Sequence, residues 1–443
     1  MQIQLSDHFN YSRLFRFVLP SIVMMIFTSI YGVVDGFFIS NFVGKTPFAA
    51  VNLIIPFAMI MGALGFMLGT GGSALVAKTL GEGNKEKANR IFSLMIYTGI
   101  ILGSVLAMIG ILFIEPIAVL LGAEGELLPY CVVYGRILLA ALPAFMLQNM
   151  FQSFLVTAEK PGLGLAITVA AGVTNMILDA LFMAVFQWGT VGAALATAIS
   201  QCVGGIVPTI YFMRKNTSTL RLTKTSLDVK ALWKACTNGS SELVSNISMS
   251  VVSMLYNFQL LKYAGENGVA AYGVIMYVTF IFIAIFLGYS IGTAPIIGFK
   301  YGAGDHRELK NLFRESMIII SVFGVILTVA AMLLAGPLSE LFVGYDRELY
   351  EMTRKGFLLY AISFLFSGYS IFGSSLFTAL NNGVVSAVIS FVRTLLFQVA
   401  AILILPMIWG LDGIWYSISV AEAAAVVLTL VFIVKLRKKY GYA

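Results

Sequence analysis

The sequence predicts an all-α integral membrane protein, with about twelve transmembrane helices in two pseudo-symmetric six-helix bundles around a central cleft. Three observations predict it. The 443 residues are 59% hydrophobic and 11% charged, with a mean hydropathy of +0.92, whereas soluble domains run at roughly 45–50% apolar and about 25% charged. Lipid is the solvent for such a surface, and a soluble protein is excluded. Apolar runs of about 20 residues, the length that crosses the hydrocarbon core as a helix, recur about twelve times. The chain also repeats itself: "GKTPFAAVNL" from Gly44 matches "GENGVAAYGV" from Gly265, "GEGN" from Gly81 matches "GAGD" from Gly302, and "WGTVGAA" from Trp188 matches "WGLDGIW" from Trp409, all at an offset of 221 residues (265 − 44).

In chain order the expected spans cover 14–40, 49–79, 91–114, 129–154, 164–186, 191–213, 236–262, 269–298, 315–335, 351–378, 385–406 and 413–434. The mixed segment Met1–Ser12 reads as a short interfacial helix, and the apolar run behind it, lacking a small-residue cleavage site, reads as a retained first span. Residues 1–213 are expected to form one lobe, 214–234 a polar connection and 235–443 the second lobe. Mid-span Pro20, Gly32, Pro143 and Gly172 mark expected kinks. Six spans per half is an even number, so both halves enter the membrane with one polarity and are related by an axis along its normal. Such repeats allow one bundle to rock against the other around a midplane site.

The charges orient the chain. With both termini in the cytoplasm, 21 of the 28 Lys and Arg residues fall in internal segments, while Glu115, Glu124, Glu126, Glu340, Asp346 and Glu348 gather outside. The positive-inside rule therefore predicts cytoplasmic termini. Because the basic residues sit at span ends, the net charge of +7 requires no nucleic-acid partner. Cys131, Cys202 and Cys236 form neither a metal spacing nor a disulfide framework and read as small hydrophobes in helical cores. Gly69 to Gly72 lacks the Gly-Lys-Ser/Thr continuation of a phosphate loop and reads as helix packing. No nucleophile, metal or phosphate constellation points to an enzyme.

Ionisable groups inside spans cost roughly 2.5–3.5 kcal/mol each on insertion scales, so each needs a reason. Asp35 and Asp179 lie roughly 9–12 Å below the external surface at 1.5 Å per residue. Asn175 precedes Asp179 by one turn on the same face, Tyr31 precedes Asp35 likewise, and Thr197 reaches the same depth on the sixth span. At the repeat offset Asp35, Asn175 and Asp179 correspond to Tyr256, Leu396 and Ala400, so one lobe alone carries the cluster. Two carboxylates close together in a poorly hydrated site cannot both ionise cheaply. The site is expected to carry a proton, or to hold Na+ with Asp35, Asn175, Asp179 and Thr197 as ligands; buried acids with a purely structural role are the bland alternative. Glu242, Arg136, Arg393 and Glu422 are candidate cleft-lining residues, with helix–helix bonding or snorkelling as the other reading. His8 and His306 lie outside the spans, so an imidazole relay is not expected. The 20 Met and 34 Phe would suit an adaptable drug-binding surface, and equally a lipid-facing one.

These strings resemble the multidrug and toxic compound extrusion (MATE) family, and more narrowly its bacterial DinF-like branch, over essentially the whole chain. The resemblance is carried by "YGVVDGFFIS" from Tyr31, "NMILDALFMAVFQWGTVGAALATAISQ" from Asn175 and the paired turns "LGEGN" and "YGAGD". It implies a secondary active antiporter of the bacterial inner membrane, working as a monomer among membrane lipids. It also implies no cofactor beyond a coupling ion, H+ or Na+, and export of bulky, often cationic amphiphiles. The coupling residues it implies are Asp35, Asn175, Asp179 and Thr197, with Tyr31 also matching. A related branch uses acids in spans 7 and 10; here span 7 offers Glu242, but span 10 has no carboxylate beyond Glu351. The alternative is a lipid or lipid-linked precursor flippase of the same superfamily, which would be expected to line its cleft with several basic residues. Only Arg136 and Arg393 lie deep.

Overall fold

Within a bilayer no water is available to satisfy the backbone, so each long apolar run must bond its own N–H and C=O groups as a helix. The structure, a computed structural model, describes residues 3–443 apart from the side chain of Lys45. The first half holds α1 (Tyr11–Phe42), α2 (Lys45–Gly81), α3 (Lys85–Leu120), α4 (Leu127–Ala140), α5 (Leu142–Thr157), α6 (Pro161–Asp179), a π-helical turn (Ala180–Val185) and α7 (Gly189–Met213). The second holds α8 (Val229–Gly302), α9 (His306–Val343), α10 (Arg347–Ala361), α11 (Phe364–Ala379), α12 (Gly383–Phe391), a second π-helical turn (Val392–Phe397), α13 (Gln398–Trp409) and α14 (Leu411–Tyr440).

Helix lengths convert this list into spans. At 1.5 Å per residue a straight α8 would be roughly 110 Å long, more than three hydrocarbon cores. It breaks instead at Gly265 (φ 62°, ψ −152°) and forms two spans. α4 and α5 meet at 55°, and α10 and α11 at 48°, so each bent pair makes one crossing. With α8 counted twice, the described residues contain the twelve expected spans, six in each half.

The repeat is written into the backbone. Gly44 and Gly265 (φ 100° and 62°), Gly83 and Gly304 (79° and 70°), and Gly189 and Gly410 (56° and 56°) are pairs at the 221-residue offset (265 − 44). Positive φ is cheap only for glycine, so equivalent turns of the two lobes are made by equivalent glycines. Caps agree as well: Asn84 accepts the N–H of Lys87 at the start of α3, and Asp305 that of Glu308 at the start of α9.

The two hydrophobic cores exchange their first helices on the side of the chain termini. Leu14, Phe17, Val18 and Ile22 of α1 pack into the second lobe's core, while Ala231 and Ala235 of α8 pack into the first. The exchange refines the expected division at residues 213 and 235, because each lobe is completed by the opening turns of the other. Small residues permit the approach: a Cβ on Gly71 would stand 1.9 Å from the Ala235 carbonyl oxygen, one on Gly239 1.9 Å from that of Met67, and one on Gly288 2.5 Å from Ile22 Cα. On the far side the glycines of these helices make no such close approach. Gly32 and Gly36 of α1 and Gly273 of α8 meet nothing there, and Ile30, Phe37, Met59, Tyr277 and Phe280 are exposed.

Some local expectations are corrected. Residues 3–10 form a strap with one turn rather than an interfacial helix, since Leu5 and Phe9 are both drawn into the second core; Met1 and Gln2 lie outside the described residues. The polar connection is shorter than expected, because α8 begins at Val229, capped by Asp228. It is tied to α3, where Asn89 accepts the Arg221 N–H and Ser93 Oγ that of Thr223. α1 runs unbroken through Pro20 and Gly32. The bend expected near Pro143 falls at Ala141, between α4 and α5.

Candidate functional site

Gly172 lies within the unbroken helix α6 and is a contact point with α1. A Cβ there would stand 2.5 Å from the Phe27 ring and 2.9 Å from that of Tyr31, so its absence lets α6 settle onto α1. Phe27, Tyr31 and Asp35 follow one another at single-turn spacing on α1, and Gly172, Asn175 and Asp179 do so on α6. Docking the aromatic turn onto the glycine therefore carries Asp35 to Asn175 and Asp179. The Asp35 carboxylate faces both of these side chains. Asp179 is fully buried and Asn175 is 2% exposed. Tyr31 reaches the amide of Gln148 on α5. Thr197 lies on α7, which packs on α6 and α1.

Acceptors dominate the cluster. Asp35 Oδ1, both carboxylate oxygens of Asp179, Asn175 Oδ1 and Thr197 Oγ1 are buried without a hydrogen-bond partner, as are Gln148 Oε1 and Gln201 Oε1. An unsatisfied buried group costs about 1–3 kcal/mol, and more when charged. The orphaned oxygens of Asp35, Asn175 and Asp179, brought together by α1 and α6, are acceptors that a proton or a hard monovalent cation would satisfy. With two carboxylates, the cluster has the charge to compensate one or two such cations.

Gln148 and Tyr134 join the site without having been expected from the sequence, and Gln201 lies on the neighbouring α7. Gln148 and Gln201 are uncharged, so a search for ionisable groups passes them over. Yet Gln201 follows Thr197 by one helical turn, the spacing already seen for Tyr31–Asp35 and Asn175–Asp179. Tyr134 of α4 is 1% exposed and lies within electrostatic reach of Asp35 and Asp179. Nothing in its spacing distinguishes it from a core tyrosine.

The second lobe differs at equivalent depth. Arg393, in the π-helical turn after α12, donates from Nε to Glu422 Oε1 and Oε2 at 3.0 and 2.9 Å, and its Nη2 lies 2.9 Å from Oε1. These two residues are thus paired across helices rather than isolated in mid-span. Glu242 of α8 lies within electrostatic reach of Arg393. Glu422 occupies the repeat position of Gln201 at the offset of 221 (422 − 201). Tyr256, the counterpart of Asp35, stacks on Tyr272 with centroids 5.1 Å apart and planes within 3°, filling with rings the position that holds acid in the first lobe. Arg136 is exposed on α4 on the face of Val133 and Ala140, and Ala140 borders a shallow depression with Met108 and Leu112. It joins neither polar group.

Two homologous six-span lobes that exchange their first helices, with a polar site held between helices at membrane depth, have the build of a transporter. The chain belongs to the MatE family, whose sequence model matches residues 20–181 and 243–404, one block in each lobe. It is 27% identical to the multidrug export protein MepA of Staphylococcus saprophyticus over 98% of this chain and 96% of that protein. With MepA of Staphylococcus aureus it shares 25% identity over 97% of this chain and 94% of the relative. The fold is that of solved MATE structures. An outward-facing multidrug resistance MATE family transporter superposes with a TM-score of 0.91 at 24% identity, covering 98% of each chain. A MOP superfamily transporter from Pyrococcus furiosus, described as having a binding pocket of reverse polarity, gives 0.89 at 24% identity over 98% of this chain and 97% of its own. The expected family and two-bundle fold are borne out.

Proposed function

We propose that this protein is a multidrug efflux antiporter of the bacterial cell membrane, exporting amphiphilic, often cationic compounds in exchange for H+ or Na+. The observation that carries the coupling is the Asp35–Asp179 pair, two carboxylates facing one another with three of their four oxygens orphaned in a buried setting. Asn175, Thr197 and Tyr31 form its ligating or hydrogen-bonding shell. The export relatives named MepA support the substrate class.

In this reading the termini are cytoplasmic, in keeping with the basic residues gathered on their side. The side opposite the termini then faces outward. A cation arriving from outside neutralises the acid pair, removes the attraction of the first lobe for a cationic drug and favours the drug's release, so that the two ligands compete for one charge. The protein acts as a monomer, each lobe supplying one wall of the cleft. Lipid or lipid-linked precursor flipping is the weaker reading: Arg136 faces away from the polar cluster, and Arg393 is already matched by Glu422.

The test is export of an amphiphilic cation from proteoliposomes under separately imposed proton and sodium gradients. Export driven by at least one gradient is expected. Fluorescent-lipid flipping without ion or drug requirement, and no driven export, would reject the proposal.

A further inference from the structure

We infer that the groove at the N-terminal end of α9 holds the phosphate headgroup of an anionic phospholipid, drawn from the leaflet on the side of the termini. The groove encloses about 750 Å³. Its acids are engaged: Glu308 accepts the Phe9 N–H at 2.8 Å and lies 2.8 Å from His8 Nδ1, while Asp305 lies 3.5 Å from Lys300 Nζ and caps the Glu308 N–H. Asn311 donates to the Phe9 carbonyl. Left uncommitted are Arg307, Lys310 and Arg314, all exposed and none with an ion pair or hydrogen bond among the described residues. Spaced by three and four residues, they lie on one face of α9.

The same face continues into the membrane as an exposed apolar strip, Ile318, Val322, Val325 and Val329. Arg307 to Arg314 spans roughly 10 Å along the helix, on the order of the headgroup layer. Three cations without an ion pair or hydrogen bond among the described residues, of which Arg314 also attracts the buried Glu315, stand above an apolar strip and match a lipid that is anionic at its head and greasy below it. A soluble phosphate would satisfy the cations but not use the strip. Basic residues that merely orient the chain need no groove and no shared face. Because His8, Glu308 and Asn311 both line the groove and hold the strap of residues 3–10, the occupant would brace the strap that ties the lobes together on this side.

The experiment is native mass spectrometry of the full chain released from nanodiscs of equal phosphatidylglycerol and phosphatidylcholine. Wild type is expected to retain phosphatidylglycerol preferentially. The Arg307→Gln/Lys310→Gln/Arg314→Gln variant should lose that preference by on the order of a hundredfold, and the charge-keeping R307K/R314K variant should retain it. Equal melting in phosphatidylcholine alone checks that the variants fold; should the triple variant not fold, Lys310→Gln alone is expected to lose roughly fivefold. Retention unchanged by neutralisation overturns the site. Retention abolished by millimolar inorganic phosphate, which then protects the wild type from heat in the absence of anionic lipid, overturns the lipid assignment in favour of a soluble anion.

Discussion

Fully buried Asp179 faces the carboxylate of Asp35 across the contact that Gly172 opens between α6 and α1. The relationship is unusual because three of the four oxygens have no donor. If the pair exists to take up a cation, replacing either acid by Asn removes the coupling without removing the fold, since Asn keeps the shape and supplies its own donor. Asp35→Asn and Asp179→Asn are expected to melt within a few degrees of wild type in detergent while ion-driven export falls by at least about tenfold, a loss of roughly 1.4 kcal/mol in transition-state terms. Gly172→Val should match the transport loss through displacement of Tyr31 and Asp35, measured by the same assay.

Arg393 and Glu422 make a different kind of statement. The pair is 15% and 2% exposed in its side chains, so removing one partner strands a charge. Glu422→Gln or Arg393→Met alone should cost about 3–5 kcal/mol, whereas the double substitution to apolar residues should recover most of it. A double-mutant cycle on thermal or denaturant unfolding reads this directly. Two single variants as stable as wild type would show that the pair is solvated.

The exchange of helices on the terminal side makes Cys236 a reporter. It sits on α8 yet packs against the first lobe's core, one turn from Gly239, whose Cβ would collide with Met67. Gly239→Leu should pry the lobes apart there and raise maleimide labelling of Cys236 several-fold, with buried Cys131 as the unreactive control.

Gly44 and Gly265 adopt backbone angles almost confined to glycine (φ 100°, ψ 165° and φ 62°, ψ −152°). Alanine at either should cost about 1–3 kcal/mol, in similar measure because the two turns are repeats of one another. Neither substitution meets a steric obstacle beyond its own backbone in the region described: the nearest atom to a Gly44 Cβ is 3.8 Å away and Gly265 has nothing within 4 Å.

Glu159, in the turn after α5, accepts the Leu5 N–H at 2.8 Å and so holds the strap to the first lobe. Burial pushes its carboxyl above the ordinary glutamate range; Asp7 adds to this, and the Leu5 N–H, Lys160 and Lys85 oppose it. A raised value in the folded state gives stability that is complete below the unfolded value and is lost as pH rises through the folded one. Wild type should therefore lose melting temperature relative to Glu159→Gln as pH climbs through that window, and the two should run parallel above it.

Much of the fold was legible because its causes are local. Span count, span limits and repeat depend on apolar run length and on glycines such as Gly44, Gly83 and Gly189, whose partners 221 residues on (265 − 44) share their positive φ. The acid cluster was legible in part: one-turn spacing put Tyr31 with Asp35 and Asn175 with Asp179, and common depth suggested they meet. What makes them meet, the missing side chain of Gly172 under Phe27 and Tyr31, is a relation between helices that no single helix's periodicity contains. The same holds for Tyr134, Gln148 and the Arg393–Glu422 pair, whose partners lie on other helices, and for the strap, which looks interfacial until the second core that buries Leu5 and Phe9 is seen.

The coupling role of the acid pair is tested most directly by proton release on addition of drug. In lightly buffered detergent solution, an amphiphilic cation that competes with protons for Asp35 and Asp179 should expel protons from the wild type, with sodium as the competing ion monitored in parallel. Wild type is expected to release H+ or Na+ stoichiometrically, and Asp35→Asn and Asp179→Asn to lose that release while drug binding itself is retained or weakened. Undiminished release from both variants would contradict it.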